Sequence, residues 1–168
     1  FHLAPIFFRY GTFCNTSFTN RFGNLKGKPF FHTLMYKVYH YIITGTDNLR
    51  NGAGSVINNS KGILSIENSK FNNNKAADTF GGAIRHKSKT NTAALIVKNS
   101  SFTANQAGIA GAVMIDGGYT SFENTLFKEN EAGAAGALAI AFSNEGDVTT
   151  LTGVEFDGNK SLGEEMGY

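Results

Sequence analysis

The 168-residue chain has one cysteine, two prolines, no tryptophan and no acidic residue before Asp47. Each shortage excludes something. A lone Cys14 rules out an internal disulfide framework and a multi-cysteine zinc site. No apolar run approaches the ~18 residues of a membrane-crossing helix, so the chain is not itself read as membrane-spanning. Twenty glycines against two prolines, with many Asn, Ser and Thr, disfavour long helices and favour short strands joined by tight turns. The length suits one domain with a buried core.

The missing acids make the charge lopsided. Residues 1–44 hold Arg9, Arg21, Lys26, Lys28 and Lys37, hence +5; the other ten cations against thirteen acids leave −3, for an overall +2. These cations follow no groove-like spacing, so a solvated surface outweighs a nucleic-acid stripe. No nucleic-acid partner is expected.

What the chain does have is a repeat. Phe-x-x-Asn occurs at Phe71/Asn74, Phe102/Asn105, Phe127/Asn130 and Phe156/Asn159. Gly-Ala-apolar follows the first three, beginning at Gly82, Gly111 and Gly136, and a degenerate copy, NGAGSVI, stands at 51–57. Three residues before each Phe come Asn68, Asn99, Asn124 and then Gly153; two after each motif Asn come Ala76, Ala107, Ala132 and Ser161. Apolar residues alternate within each unit, at Ile66, Val97, Phe122 and Leu151 and again at Ile84, Val113 and Leu138, which is the period of a strand. Each unit therefore yields about three short strands and no crossover helix. Such units suit the coils of a parallel β-helix, whose equivalent positions stack ~4.8 Å apart.

That architecture assigns each column a task. Phe71, Phe102, Phe127 and Phe156 stack inside as an aromatic ladder. Both Asn columns occupy turns, where Asn tolerates left-handed backbone, and their amides bond from coil to coil. Gly81 and Gly82, and their counterparts Gly111 and Gly136, make a sharp corner. Ala83, Ala112 and Ala137 line a flat outer face. The outward column Glu67, Lys98, Glu123, Thr152 alternates in sign, and Lys128 falls beside Asp157; opposite charges stacked across strands attract, and like ones repel.

The segments SKFNNNKAADTFGGAI, SSFTANQAGIAGAV and TLFKENEAGAAGAL resemble the repeats of chlamydial polymorphic outer membrane proteins and of adhesin-like proteins. The likeness spans residues 49–161. It departs where Ala110 and Ala135 replace the leading glycine and where Gly153 replaces an Asn. The resemblance implies an all-β, right-handed single-stranded parallel β-helix of about four coils, roughly 19 Å of stacked strand. It also implies an extracellular, cell-surface or outer-membrane-associated passenger domain that contacts a host or neighbouring-cell receptor or glycan.

Residues 1–44 share none of these columns and are set apart from the repeats at 45–168. Phe31, Leu34, Met35, Val38 and Ile42 fall at helical spacing, which suits a short amphipathic cap over an open strand edge; Val, Tyr and Ile equally favour a strand. A third reading makes residues 1–40 no native part of the domain. The ends at Phe1 and Tyr168 are those expected of an excerpt from a longer protein.

No chemistry stands out. Glycoside hydrolysis needs two carboxylates ~5–9.5 Å apart, and the aligned columns pair no acids; Asp116, Glu145 and Asp147 lie in variable loops where such a site could hide. His86 falls in a column with Ile115 and Ile140 and reads as packed or at the rim; His2, His32 and His40 lack zinc-ligand spacing. The sequons at Asn15, Asn58, Asn99 and Asn159 are outweighed by ladder roles at two of them. No catalytic residue, cofactor or metal is expected. A non-enzymatic adhesin or autotransporter-type passenger is the favoured reading, ahead of a polysaccharide lyase or hydrolase (or its noncatalytic flank) and a structural spacer.

Overall fold

One left-handed residue between two short extended segments turns the chain through a corner, and this chain has such residues at regular intervals. A computed structural model describes strands 16–18, 38–41, 43–46 and 49–50, and residues 54–163 apart from 61, 89–92 and 142–143. All the strands are short, and they form four sheets in which every pairing is parallel. The molecule is a right-handed parallel β-helix, the hand that parallel crossovers take.

Sheet 1 contains Val38–Tyr41, Ile63–Glu67, Ala94–Lys98, Tyr119–Glu123 and Val148–Thr152. Sheet 2 contains Thr16–Phe18, Ile43–Thr46, Lys70–Asn72, Ser101–Thr103, Leu126–Lys128 and Glu155–Asp157. Sheet 3 contains Leu49–Arg50, Lys75–Phe80, Gln106–Ile109, Glu131–Ala134 and Lys160–Ser161, and sheet 4 Ile57–Asn59, Ile84–Lys87, Val113–Asp116 and Leu138–Ala141. Each unit thus has four strands, where the sequence suggested about three. The expected four coils amount to three full turns in sheet 4, from Ile57 through Ile84 and Val113 to Leu138.

Register holds column by column except in sheet 3, where it shifts between Ala107, opposite Ala76, and Ile109, opposite Phe80. Phe71 pairs with Phe102, Phe102 with Phe127 and Phe127 with Phe156. Their rings stack at 4.7, 5.0 and 5.1 Å between centroids, within 10° of parallel. The first three are fully buried, with Ile66, Leu95, Val97, Ile84 and Val113 around them. Each ring pair adds ~0.5–1.5 kcal/mol to the burial of its area.

The asparagines divide their labour differently from expectation. Asn68, Asn99 and Asn124 do take left-handed backbone, at φ of 47–49°. The motif Asn does not; the residue before it does, at Asn73, Ala104, Glu129 and Gly158. Asn74, Asn105 and Asn130 are instead fully buried. The Oδ1 of Asn105 accepts the main-chain N–H of Asn74 at 3.0 Å and its Nδ2 at 2.8 Å. The Nδ2 of Asn105 donates to the Phe71 carbonyl at 3.0 Å and to Asn130 Oδ1 at 2.9 Å. The same bonds recur one turn on, from Asn130 to Asn159 and Phe102. Each amide closes polar groups that a buried corner would otherwise leave bare.

Ala83, Ala112 and Ala137 do not line an outer face; they are buried in the core. The left-handed residue at the corner (Gly81, Ala110 or Ala135) resets the in–out alternation, so Ala83 and Ile84 both face inward. Beside it, a Cβ on Gly82 would sit 2.0 Å from the Gly111 carbonyl oxygen, and one on Gly111 2.0 Å from that of Gly136. Glycine is required there by the approach of the next turn, not by φ.

The segment set apart at 1–44 supplies strands to the same sheets. Val38–Tyr41 pairs with Ile63–Ile66 and Ile43–Thr46 lies between Thr16–Phe18 and Lys70–Asn72. At 38–41 and 43–46 the strand reading replaces the helical one; Phe31, Leu34, Met35 and Ile42 lie outside the described residues. Phe18 aligns with Gly45, and Gly45 with Phe71, so Phe18 stands in the phenylalanine column.

Replacing Phe102 with Ala should cost ~3–5 kcal/mol in a denaturant titration; a change under ~0.5 kcal/mol would refute a buried ladder. Ala104→Gly should be neutral or stabilise by up to about 1 kcal/mol, because it relieves left-handed alanine. A clear loss of stability would mean that the methyl group packs.

Candidate functional surface and buried polar corner

The ladders occupy the interior, so any contact residues lie on outward columns and corner loops. On the outside of sheet 1, Lys98 Nζ reaches Glu123 Oε2 at 2.9 Å, and on sheet 2 Lys128 Nζ reaches Asp157 Oδ2 at 3.1 Å. The sign alternation read from the sequence therefore becomes ion pairs between successive turns. These hydrogen-bonded carboxylates hold both ammonium groups above their usual pKa. Both pairs are largely exposed, so they act more on register than on stability.

The corner between sheets 4 and 1 gathers the acids that could have formed a hidden catalytic pair. Asp116 Oδ2 takes Lys87 at 3.2 Å and Arg85 at 3.6 Å, both from the preceding turn. Arg85 also lies over the Phe80 ring, 4.9 Å from its centroid. Asp147 accepts the main-chain N–H of Gly118 at 2.7 Å and that of Asn144 at 2.8 Å. The Asn144 side chain donates to Asp147 and, at 3.2 Å, to the Ser88 carbonyl. Asp116 is thus tied to cations and Asp147 to loop backbone. Glu145 is exposed on the same loop.

Beneath this corner is His86. It is fully buried, as is Asn59, and Asn59 Nδ2 lies 3.0 Å from His86 Nδ1. With the amide so oriented, Nδ1 accepts and the imidazole proton resides on Nε2. Among the described residues neither His86 Nε2 nor Asn59 Oδ1 has a hydrogen-bond partner. A Cβ on Gly118 would stand 3.0 Å from that Nε2, so the glycine leaves room above the ring. Burial lowers the histidine pKa to about 4, against partial opposition from Asp116 and then Asp147. The packed reading of His86 describes its place; its bond to Asn59 could not be read from spacing alone.

Among the described residues no three His, Cys, Asp or Glu side chains come together as metal ligands, and no helix is long and apolar enough to cross a membrane. His40 lies in the strand 38–41; His2, His32 and Cys14 lie outside the described residues. Tyr119 is the half-exposed aromatic on the outside of sheet 1. At the final turn, Ala135–Leu138, Phe156, Gly158 and Asn159 border an open hollow of about 300 Å³. Comparison with family profiles, curated proteins and solved structures finds no match.

The histidine makes stability pH-dependent. Below its unfolded pKa of 6.5 the unfolded chain takes up a proton that the native state refuses until about pH 4. Stability should be full above pH 6.5 and fall by on the order of 3 kcal/mol as pH drops to about 4. His86→Ile, matching Ile115 and Ile140, should flatten that part of the curve. An unchanged slope would assign the effect to other groups.

Proposed function

We propose that the chain is a non-enzymatic segment of a secreted or cell-surface adhesin of the autotransporter-passenger type, similar to polymorphic outer membrane proteins. It contacts a host or neighbouring-cell receptor or glycan through its outward positions. One observation carries the reading: the recurrent residues are taken up by ladders, while sequence variation falls on the outward columns and corner loops. A rigid repeat with a changeable surface suits display and contact. The repeat pattern at 71–84, 102–113 and 127–138 supports the comparison with surface-displayed proteins. At the corner, Asp116 and Asp147 already have strong structural partners, which argues against a general acid and base there.

Tyr119 is the natural contact anchor, an exposed aromatic on a rigid strand of the kind that dominates interfaces. The labelled chain should bind saturably to host or neighbouring cells, and Tyr119→Ala should weaken that binding about tenfold or more. Release of unsaturated or reducing sugars from pectin or alginate would overturn the proposal in favour of a carbohydrate-active enzyme. Absence of saturable binding would favour a spacer.

A further inference from the structure

We infer that Asn99 is an acceptor for an N-linked glycan, carried on the outside of the corner between sheets 1 and 2. The sequence has four Asn-x-Ser sequons, at Asn15, Asn58, Asn99 and Asn159, none with proline in the middle, as such acceptors require. Spacing alone gives Asn99 and Asn159 the same ladder role. The side chains separate them.

Asn68, Asn99 and Asn124 are all exposed and share left-handed backbone at φ of 47–49°. Their part in the corner is played by the main chain. Their N–H groups go to the carbonyls of Lys98, Glu123 and Thr152 one turn on. Between their side chains one bond forms, from Asn124 Nδ2 to Asn99 Oδ1 at 3.3 Å. Among the described residues Asn99 Nδ2 donates to nothing, and the Ser101 hydroxyl has no hydrogen bond. The nitrogen that a sugar would substitute is therefore outside and uncommitted.

The other sequons differ. Asn159 Nδ2 donates to the Phe127 carbonyl at 2.8 Å, and its Oδ1 takes both donors of Asn130, so a sugar there would open the amide ladder. Asn58 is only half exposed, in the strand Ile57–Asn59, and its neighbour Asn59 is buried against His86. Asn15 lies outside the described residues. Within the corner column the hydroxyl is what singles out Asn99. Two residues beyond Asn68, Asn99 and Asn124 stand Lys70, Ser101 and Leu126.

In the transfer, Asn99 Nδ2 bonds to the anomeric carbon of an oligosaccharide as that carbon's bond to a lipid-linked pyrophosphate breaks. The pyrophosphate leaves with the bonding pair, and Nδ2 gives one proton to a base of the transferase. The product keeps Oδ1, and with it the bond from Asn124. Asn99 lies at the opposite end of sheet 1 from Tyr119, because the strand Tyr119–Glu123 is ~13 Å long. The glycan thus leaves that anchor open. The inference rests on the secreted reading above, since the sugar donor is met on export. Failure of cell binding would leave it standing, because its test reads attachment alone.

The test is glycopeptide mass spectrometry on the 168-residue chain routed through a eukaryotic secretory line. Asn99 should carry a sugar that an N-glycosidase removes, leaving aspartate. Ser101→Ala should abolish that attachment with the circular dichroism unchanged, and Ser101→Thr should keep it. In the Ser101→Ala chain, Leu126→Thr should place a glycan on Asn124, which has the same corner and lacks only the hydroxyl. An unmodified Asn99 overturns the inference, as does attachment confined to Asn15, Asn58 or Asn159. So does a sugar on Asn99 that survives Ser101→Ala, or a Leu126→Thr chain that gains none on Asn124.

Discussion

The structure depends on vertical register between turns. A parallel strand bonds to neighbours above and below, and its side chains meet only the residues at the same position of adjacent turns. Shift one turn by a residue and Phe102 would leave Phe71 and Phe127 for the solvent side. The buried amides guard against that shift most strictly. Asn105 binds the backbone of the preceding turn at Asn74 and Phe71 and the side chains of both its column neighbours, and no displaced register offers it the same set of partners.

The corners show what such a system tolerates. At the position before the motif Asn the left-handed backbone is met by Asn73, Ala104, Glu129 and Gly158. A residue with a Cβ is strained there by about 1–2 kcal/mol, a cost the surrounding bonds absorb. At Gly82, Gly111 and Gly136 the obstacle is a carbonyl oxygen of the next turn, which no side chain can displace. One corner therefore varies freely in sequence, whereas the other is invariant through three turns. The two differ in whether the constraint is torsional or steric.

Much of this was legible because the columns repeat. The phenylalanine ladder, the position of Ile66 with Val97 and Phe122, and the Lys128–Asp157 pair follow from aligning four units. What escaped was whatever alignment cannot encode. Alanine is small on either side of a sheet, so Ala83 and Ala112 gave no sign of facing inward. Strand number was undercounted because the strand after the motif Asn, such as Gln106–Ile109, has a weak apolar period. Phe18 was missed because its unit ends in Arg21 instead of Asn, and Gly45 interrupts the column between Phe18 and Phe71. The His86–Asn59 contact joins residues 27 apart that belong to no repeated motif. The absence of an aligned acid pair was visible in sequence, but the bonding of Asp147 to loop backbone required coordinates.

The asparagine ladder also bears on how such a chain can change length. The three junctions from Phe71 to Phe156 use the same ring and amide contacts, so these ladders do not distinguish one of those turns from another. Duplicating one unit in a gene would insert a turn whose two new surfaces already fit their neighbours, and deleting one would rejoin surfaces that also match. Reach can therefore be lengthened or shortened in single steps without a new core having to arise.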